Sequence, residues 1–166
     1  MADSRQALNS PAVEPASRKV PAQACIPFIK RAWREAVSSQ ITINQPQVLA
    51  EVTAAFYRYE EALVSNDIAV LDELFWEDEH TVRLGAGENL YGIEAIRAFR
   101  NARPTKGLAR ELRHPHIVTF GDDMAVCSTE FTREGSERIG RQQQTWVRFP
   151  CGWRIVAAHV SQMNQG

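Results

Sequence analysis

Arg83 has the side-chain type and the sequence setting that could bind an acidic ligand. It lies between Val82 and Leu84 in a predicted strand, so its side chain faces the opposite side from theirs. If Val82 and Leu84 pack outward, Arg83 points into the fold; the alternative is a solvated arginine on the outer face. A buried arginine pairs best with a carboxylate, because its planar fork matches the two oxygens.

His159 is a second candidate, in the last predicted strand. Trp153 and Ile155 mark one face of that strand as the inner one, and strict alternation places His159 on the same face. The alternative is a core histidine whose hydrogen bonds are satisfied within the fold. Three more side chains could line a pocket and are equally well explained as ordinary wall residues: Trp76, Gln144 and Trp146.

Tyr59 lies on the apolar stripe of a predicted helix, together with Phe56 and Leu63. The alternative here is a core tyrosine whose hydroxyl bonds a neighbour, as buried tyrosines usually do. Neighbouring carboxylates such as Glu60 and Glu61 are no acid/base pair, because adjacent residues on a helix point apart.

The sequence predicts neither a metal nor an organic cofactor. His80, His114 and His116 show no ligand spacing with a carboxylate or a cysteine. No phosphate-binding loop, dinucleotide fingerprint or nucleophile elbow is present. We therefore expect a cofactor-free protein.

Charge and composition narrow the choice of partners. The 166 residues carry 19 Lys and Arg against 20 Asp and Glu, a formal net charge of -1. This balance argues against a nucleic-acid partner, whose binding needs a concentrated basic surface. No apolar run is long enough to cross a membrane. The three cysteines include no Cys-x-x-Cys pair, which predicts a reduced cytoplasmic protein with cysteines as packing residues.

The order of elements predicts an α+β domain over residues 41–163. Asn44 or Gln45 caps a first helix with Pro46 in its first turn. A short second helix follows it, and Gly92 begins a third, in which Arg97 and Arg100 are expected to face outward. The pattern then changes to period two, which predicts an antiparallel meander. The four predicted strands of this meander are residues 116–120, 124–133, 141–149 and 153–163, and an earlier short strand covers 80–85.

Residues 1–40 are expected to stand apart from this domain. Residues 1–24 are rich in Ala, Ser and Pro and carry too little apolar surface to offset the entropy of ordering, so they are predicted to be disordered. Residues 25–40 form either a short helix or a frayed segment, and the sequence leaves this open. An upstream start codon that adds non-essential residues would also explain the extension.

The domain resembles the AtzH-like family within the nuclear-transport-factor-two-like (NTF2-like, SnoaL-like) superfamily. The matching segments include TVRLGAGENLYGIEAIRAFR and RQQQTWVRFPCGWRIVAAHVS, and together the matches cover nearly all of residues 41–163. The resemblance implies a cone in which N-terminal helices pack on a curved antiparallel sheet and enclose a pocket. Leu84 departs from the family, since many relatives have an aromatic residue at that position.

The resemblance also implies an activity. The family occurs in the breakdown of nitrogen-rich compounds, and its named member is implicated in converting dicarboxyurea into allophanate during cyanuric acid catabolism. The residues tied to that activity correspond to Tyr59 and Arg83. We therefore expect a decarboxylating amidohydrolase that acts on a carboxylated urea or related amide, with His159, Trp76, Gln144 and Trp146 as substrate-binding candidates. Decarboxylation and hydrolysis remain open.

The alternative function is non-catalytic. Because one fold hosts many unrelated functions, the domain could bind a small acid or support a partner amidase without turning anything over. A pull-down from the native cell with identification of the partner would discriminate the two functions, and an adjacent amidase gene would favour nitrogen catabolism.

Apolar residues on the presumed outer face predict a homodimer that associates through the sheet. Val82 with Leu84, and Val156 with Val160, would form an exposed apolar patch of the kind that marks an interface. Sedimentation velocity at micromolar concentration should give the mass of a dimer. A monomer under these conditions would contradict the prediction.

Overall fold

The first helix begins where the sequence places its start signal. The computed structural model describes residues 41–104 and 106–163. Helix α1 spans Pro46–Ser65, with Gln45 at the N-cap and the proline in the first turn. The Asn44 side chain does not cap the helix; its Oδ1 accepts a hydrogen bond from the Thr119 amide at 2.9 Å and so ties the helix start to the sheet. Residues 1–40, predicted to be an extension, lie outside the described residues.

Two shorter helices follow α1 along the chain. Asn66 ends α1 in a left-handed conformation (φ 56°, ψ 36°), which asparagine tolerates well. Helix α2 spans Ile68–Leu74, capped by the Asp67 side chain on the Val70 amide. Helix α3 spans Ile93–Ala102 and begins after Gly92.

Six strands of the described residues form one sheet in the order β2-β1-β6-β5-β4-β3. The strands are β1 Val82–Leu84, β2 Asn89–Tyr91, β3 Glu111–Phe120, β4 Met124–Thr132, β5 Ile139–Phe149 and β6 Gly152–Met163. Strands β3 to β6 form the predicted antiparallel meander.

One strand pair runs parallel, which the pattern of the meander did not indicate. Strand β1 lies alongside β6 in the same direction, with Val82 opposite Ala157 and Arg83 opposite Ala158. The chain reaches this position because Phe75, directly after α2, already forms a parallel bridge to Ile155. The sheet is therefore mixed, and the helices lie on its concave side as expected for the cone.

A bulge in β6 reverses the facing of its second half. Trp146 of β5 lies opposite Ile155, but the preceding Thr145 lies opposite Ala157, so Val156 is an extra residue. An extra residue shifts the alternation by one position. The prediction that His159 faces inward is therefore wrong, because His159 is exposed on the outer face.

The same shift also corrects the apolar outer patch on which the predicted homodimer was based. Val160 lies opposite the buried Gln142 and shares its inner face, so it does not belong to an outer patch. Val82 and Leu84 do lie on the outer face, opposite Ala157 and His159. The homodimer stays a prediction.

The core lies between the helices and the concave face of the sheet. Helix α1 contributes Val52, Phe56 and Tyr59, and the sheet contributes Trp146 and Ile155, all at most 5% exposed. Burying side chains of this size stabilises the fold by about 1.5–3 kcal/mol each.

Helix α3 brings an unexpected residue to the interior. Arg100 was predicted to face outward, but it is only 3% exposed and lies with Ile93 and Ile96 on the inner side of the helix. Positions separated by three and four residues share a helix face, which places these three side chains together. Charged residues are rarely buried unless they are paired, and Arg100 meets that condition.

Candidate active site

Tyr59 lies on the buried face of α1. The residue is 5% exposed, and its ring lies 6.2 Å from the ring of Phe75. Within residues 41–104 and 106–163, no protein group forms a hydrogen bond with this hydroxyl. Among these residues, the O–H group is therefore open to a ligand.

Arg83 projects from β1 to the inner side of the sheet. Its strand neighbour Ala158 is buried on that side, and the Arg83 side chain is 16% exposed. The guanidinium lies over the ring of Phe99 in α3, 5.1 Å from its centroid, and pairs with Glu88 from the turn between β1 and β2. The outer-face alternative for Arg83 is wrong.

Two further arginines come from the end of α3. The Arg100 guanidinium lies over Phe75, 4.2 Å from the ring centroid, and its Nη1 donates to Asp72 Oδ1 at 2.5 Å. Arg103 follows the helix, with its backbone N–H bonded to the Phe99 carbonyl at 3.0 Å. Phe75 thus contacts both Tyr59 and Arg100, and Phe99 connects Arg83 with the backbone of Arg103.

The charges of these groups act on one another. Burial lowers the pKa of the Arg100 guanidinium, and the positive charge of Arg83 lowers it further, whereas Tyr59 and Asp72 act in the opposite direction. Burial likewise lowers the pKa of Arg103, and the charges of neighbouring arginines add to this effect. A lowered arginine pKa means that the cationic form is under electrostatic strain. A bound anion would relieve that strain.

Gln144 presents an amide donor on the inner face of the sheet. Trp146 Nε1 donates to Gln144 Oε1 at 3.1 Å, and both residues are fully buried. An indole N–H can only donate, so the amide oxygen must face Trp146 and the Gln144 NH₂ must face away. Its Nε2 has no partner among the described residues.

The sheet register places Gln144 near Arg83. Ala158 lies opposite Gln144 on one side and opposite Arg83 on the other. The two longer side chains therefore flank a small residue on the concave face. This arrangement offers a neutral donor and a cation to one ligand, so Gln144 and Arg83 share a site floor formed by Ala158.

Two of the predicted binding residues lie elsewhere. Trp76 stacks on Phe149 at 5.5 Å and on His80 at 6.5 Å, and it lines a depression of about 710 Å³. Neighbouring residues in extended backbone face opposite sides, so Trp76 turns away from the site that Phe75 enters. His159 lines a separate polar depression of about 480 Å³ on the outer face of the sheet. Neither side chain joins Tyr59 and Arg83.

Sequence reasoning missed a buried ion pair beside Tyr59. Arg110 donates through Nη2 to Glu60 Oε2 at 2.5 Å and to Gln142 Oε1 at 2.9 Å. Gln142 Nε2 donates in turn to Glu60 Oε1 at 2.7 Å. Period-two alternation in β5 places Gln142 on the same face as Gln144 and Trp146. This alternation is the sequence signal that could have indicated a buried Gln142. The partner Arg110 comes from a segment with no regular pattern, 50 residues after Glu60.

Several other chemistries find no basis in the described part of the chain. It contains no group of three His, Cys, Asp or Glu side chains that could hold a metal ion. Burial raises the pKa of the Cys127 thiol to about 12, so this cysteine is protonated at neutral pH and is no nucleophile. None of the helices described is long and apolar enough to cross a membrane.

Comparison with known proteins identifies the family. A model of the AtzH-like family matches residues 41–166. The chain belongs to the AtzH-like family. Its sequence resemblance and its expected NTF2-like cone fold are thereby confirmed.

Solved structures resemble this AtzH-like domain along nearly their whole length. A DUF3225-family protein of unknown function from Pectobacterium atrosepticum is 73% identical, with 74% of this chain and 95% of that chain covered and a TM-score of 0.73. A cystatin-like fold protein from Burkholderia xenovorans is 47% identical, with coverages of 76% and 99% and a TM-score of 0.73. An NTF2-like protein from Salmonella enterica, 24% identical over 72% of this chain and 93% of that chain, shares the fold alone at a TM-score of 0.59. No curated protein matches the chain.

The Gln144–Trp146 hydrogen bond can be tested by a double-mutant cycle. Gln144→Leu leaves the indole N–H without an acceptor, which costs about 1–3 kcal/mol of stability. Trp146→Phe should then destabilise the Gln144→Leu variant less than it destabilises the native protein, by at least about 1 kcal/mol. Urea unfolding of the four proteins measures this difference. Strictly additive free energies would contradict the orientation assigned to the Gln144 amide.

Proposed function

We propose that this AtzH-like protein is a cofactor-free enzyme that removes CO₂ from a carboxylated urea or a related amide in nitrogen-compound catabolism. The observation that carries the proposal is the hydroxyl of the buried Tyr59, which has no hydrogen-bond partner among the described residues and interacts electrostatically with Arg100 and Arg103. A proton donor and a cationic surround are what the loss of CO₂ from an N-carboxylate requires.

Arg83 anchors the substrate in this proposal. A guanidinium over an aromatic ring is held in orientation, and its fork binds a carboxylate through two parallel hydrogen bonds. The pairing of Arg83 with Glu88 uses Nη1, which leaves other N–H groups of the fork for the ligand. Gln144 Nε2, across Ala158, would donate to the carbonyl oxygen of the urea.

The chemical step needs a single proton. The bond between nitrogen and the carboxylate carbon breaks, its electron pair goes to the nitrogen, and the carbon leaves as CO₂. The nitrogen takes the proton from the Tyr59 hydroxyl, and the resulting phenolate lies next to the Arg100 guanidinium until water returns a proton. General acid catalysis of this kind contributes about 10²–10⁴-fold to the rate.

The charge pairing favours decarboxylation over attack by water. Hydrolysis requires a general base to activate the water, and the carboxylates beside the site are already bound to arginines: Glu60 to Arg110, Asp72 to Arg100 and Glu88 to Arg83. A carboxylate in such a pair is a poor base, because the cation stabilises its ionised form. Mass spectrometry of the first inorganic product, CO₂ or bicarbonate, distinguishes the two routes.

Tyr59→Phe tests the proton donor. Because no partner is orphaned, the free energy of unfolding should change by less than about 1 kcal/mol. The rate of CO₂ release from dicarboxyurea should fall by about 10²-fold or more. Tyr57→Phe is the matched control, since Tyr57 is 48% exposed on the same helix and should keep full activity. Wild-type turnover by the Tyr59 variant would remove this hydroxyl from the mechanism.

Arg83→Lys tests the carboxylate anchor. Lysine keeps the charge but lacks the fork, so kcat/KM should fall by about 10-fold or more, corresponding to the loss of one charge-assisted hydrogen bond. Arg58→Lys, in an exposed ion pair with Glu73, is the control and should behave as wild type. Substrate binding without turnover in the wild-type protein would favour a non-catalytic binding module.

A further inference from the structure

We infer that Arg103, held by Asn66, binds a second carboxylate of the ligand and so selects doubly carboxylated ureas over singly carboxylated ones. This inference rests on the proposed function for the location of the ligand. It adds a specificity-determining residue directly after the last turn of α3.

The balance of charge points to Arg103. Its neighbours in the cluster are each compensated, since Arg83 pairs with Glu88, Arg100 with Asp72 and Arg110 with Glu60. Arg103 has no carboxylate partner among residues 41–104 and 106–163. Its guanidinium bonds the neutral Asn66 side chain instead.

A cation that lies among other cations without a carboxylate partner is electrostatically unfavourable. Burial lowers the pKa of Arg103, Tyr59 acts in the opposite direction, and the charges of Arg100, Arg83 and Arg110 lower it further. Replacing Arg103 by a neutral residue would relieve this repulsion, yet the chain keeps an arginine there. An anionic ligand accounts for it, because its charge balances the cluster.

The hydrogen bonds to Asn66 leave the correct edge of the guanidinium open. Asn66 Oδ1 accepts from Arg103 Nε at 3.3 Å and from Nη2 at 3.0 Å. A guanidinium has five N–H donors, so the edge formed by Nη1 and the second N–H of Nη2 remains. That edge is the one that binds a carboxylate end-on with two hydrogen bonds.

The spacing along α1 fits a ligand with an anionic group at each end. Asn66 is the C-cap residue of α1 and follows Tyr59 by seven positions, a rise of about 10 Å along the helix axis. The guanidinium of Arg83 lies over the ring of Phe99. The backbone carbonyl of Phe99 accepts a hydrogen bond from the backbone N–H of Arg103. Arg83 and the backbone of Arg103 are therefore both held at Phe99, and Tyr59 interacts electrostatically with Arg103.

The test is a binding measurement that requires no turnover. Glutarate places three atoms between its carboxyl groups, as dicarboxyurea does, and butyrate is the same chain with one carboxylate removed. Calorimetric titration of the wild-type protein should show glutarate binding about 10-fold or more tightly than butyrate. Arg103→Gln should weaken the binding of glutarate about 10–100-fold, the scale of a lost charge-assisted pair. The same variant should change the affinity for butyrate by less than about threefold.

Three variants separate a specific contact from a general charge effect. Arg138→Gln removes the same charge at an exposed position and should leave glutarate affinity unchanged. Asn66→Gly keeps the left-handed backbone (φ 56°) that glycine readily adopts, so it should preserve the fold and weaken glutarate several-fold. Arg133→Gln tests a rival cation, because Arg133 lies over Phe131 and its pKa is lowered by burial and by the charge of Arg110, with no effect of Tyr59.

The outcomes that overturn the inference are distinct from failure of the enzyme assay. If Arg103→Gln weakened the binding of glutarate and butyrate equally, Arg103 would act through its general electrostatic field and would not bind a second carboxylate. Unchanged glutarate binding in that variant, or loss confined to Arg133→Gln, would also overturn it. Since neither probe is turned over, a protein that discriminates glutarate as expected but releases no CO₂ would refute the proposed reaction alone.

Discussion

Repulsion among the arginines inside the cone determines where the carboxylates of this domain must lie. An isolated charge in a protein interior is so unfavourable that buried charges are paired or hydrogen-bonded. Glu60 from α1 meets Arg110 near β3, Asp72 from α2 meets Arg100 of α3, and Glu88 from a turn meets Arg83 of β1. Each pair joins two elements or fixes a turn, so the electrostatic constraint also holds the helices against one another.

Aromatic rings make such a cationic interior compatible with an apolar core. The guanidinium groups of Arg83, Arg100 and Arg110 lie over Phe99, Phe75 and Phe131 at 5.1, 4.2 and 4.5 Å from the ring centroids. The negative face of an aromatic ring attracts a cation and contributes about 0.5–2 kcal/mol. Gly140 shows how closely Phe131 is packed, because a Cβ at this position would overlap the ring. A larger residue there would displace the ring that supports Arg110.

The hydrophobic periodicity of the sequence predicted the helices and strands well. It predicted less well which of their side chains face the core. The α1 stripe, the α3 start at Gly92 and the four-strand meander all follow from local patterns of apolar residues and turns. His159 and Val160 were placed on the wrong faces because one extra residue, Val156, leaves no mark in the sequence when valine and alanine surround it. Arg100 illustrates a different limit, since an arginine on an amphipathic helix normally faces water unless a distant carboxylate pairs with it. Asp72, 28 residues away, is that partner, and a single sequence does not reveal such a pairing.

The polar groups that the fold leaves unpaired distinguish a site from a core. Unpaired buried atoms also occur at Thr119 and Trp153, so the lack of a partner alone identifies nothing. At the proposed site, however, three different kinds of donor have no protein partner among the described residues: the Tyr59 hydroxyl, the Gln144 Nε2 and the open edge of Arg103. The buried Gln144 Nε2 forgoes about 1–3 kcal/mol of hydrogen bonding that a partner inside the protein would have supplied, and the other two donors have no such partner among the described residues either. Selection for stability alone would have filled or removed them, as it did for Glu60, Arg110 and Gln142 close by. A site that keeps a proton donor, a neutral donor and a cation unpaired, beside a closed network that holds them in place, is organised around a small anion that completes all three.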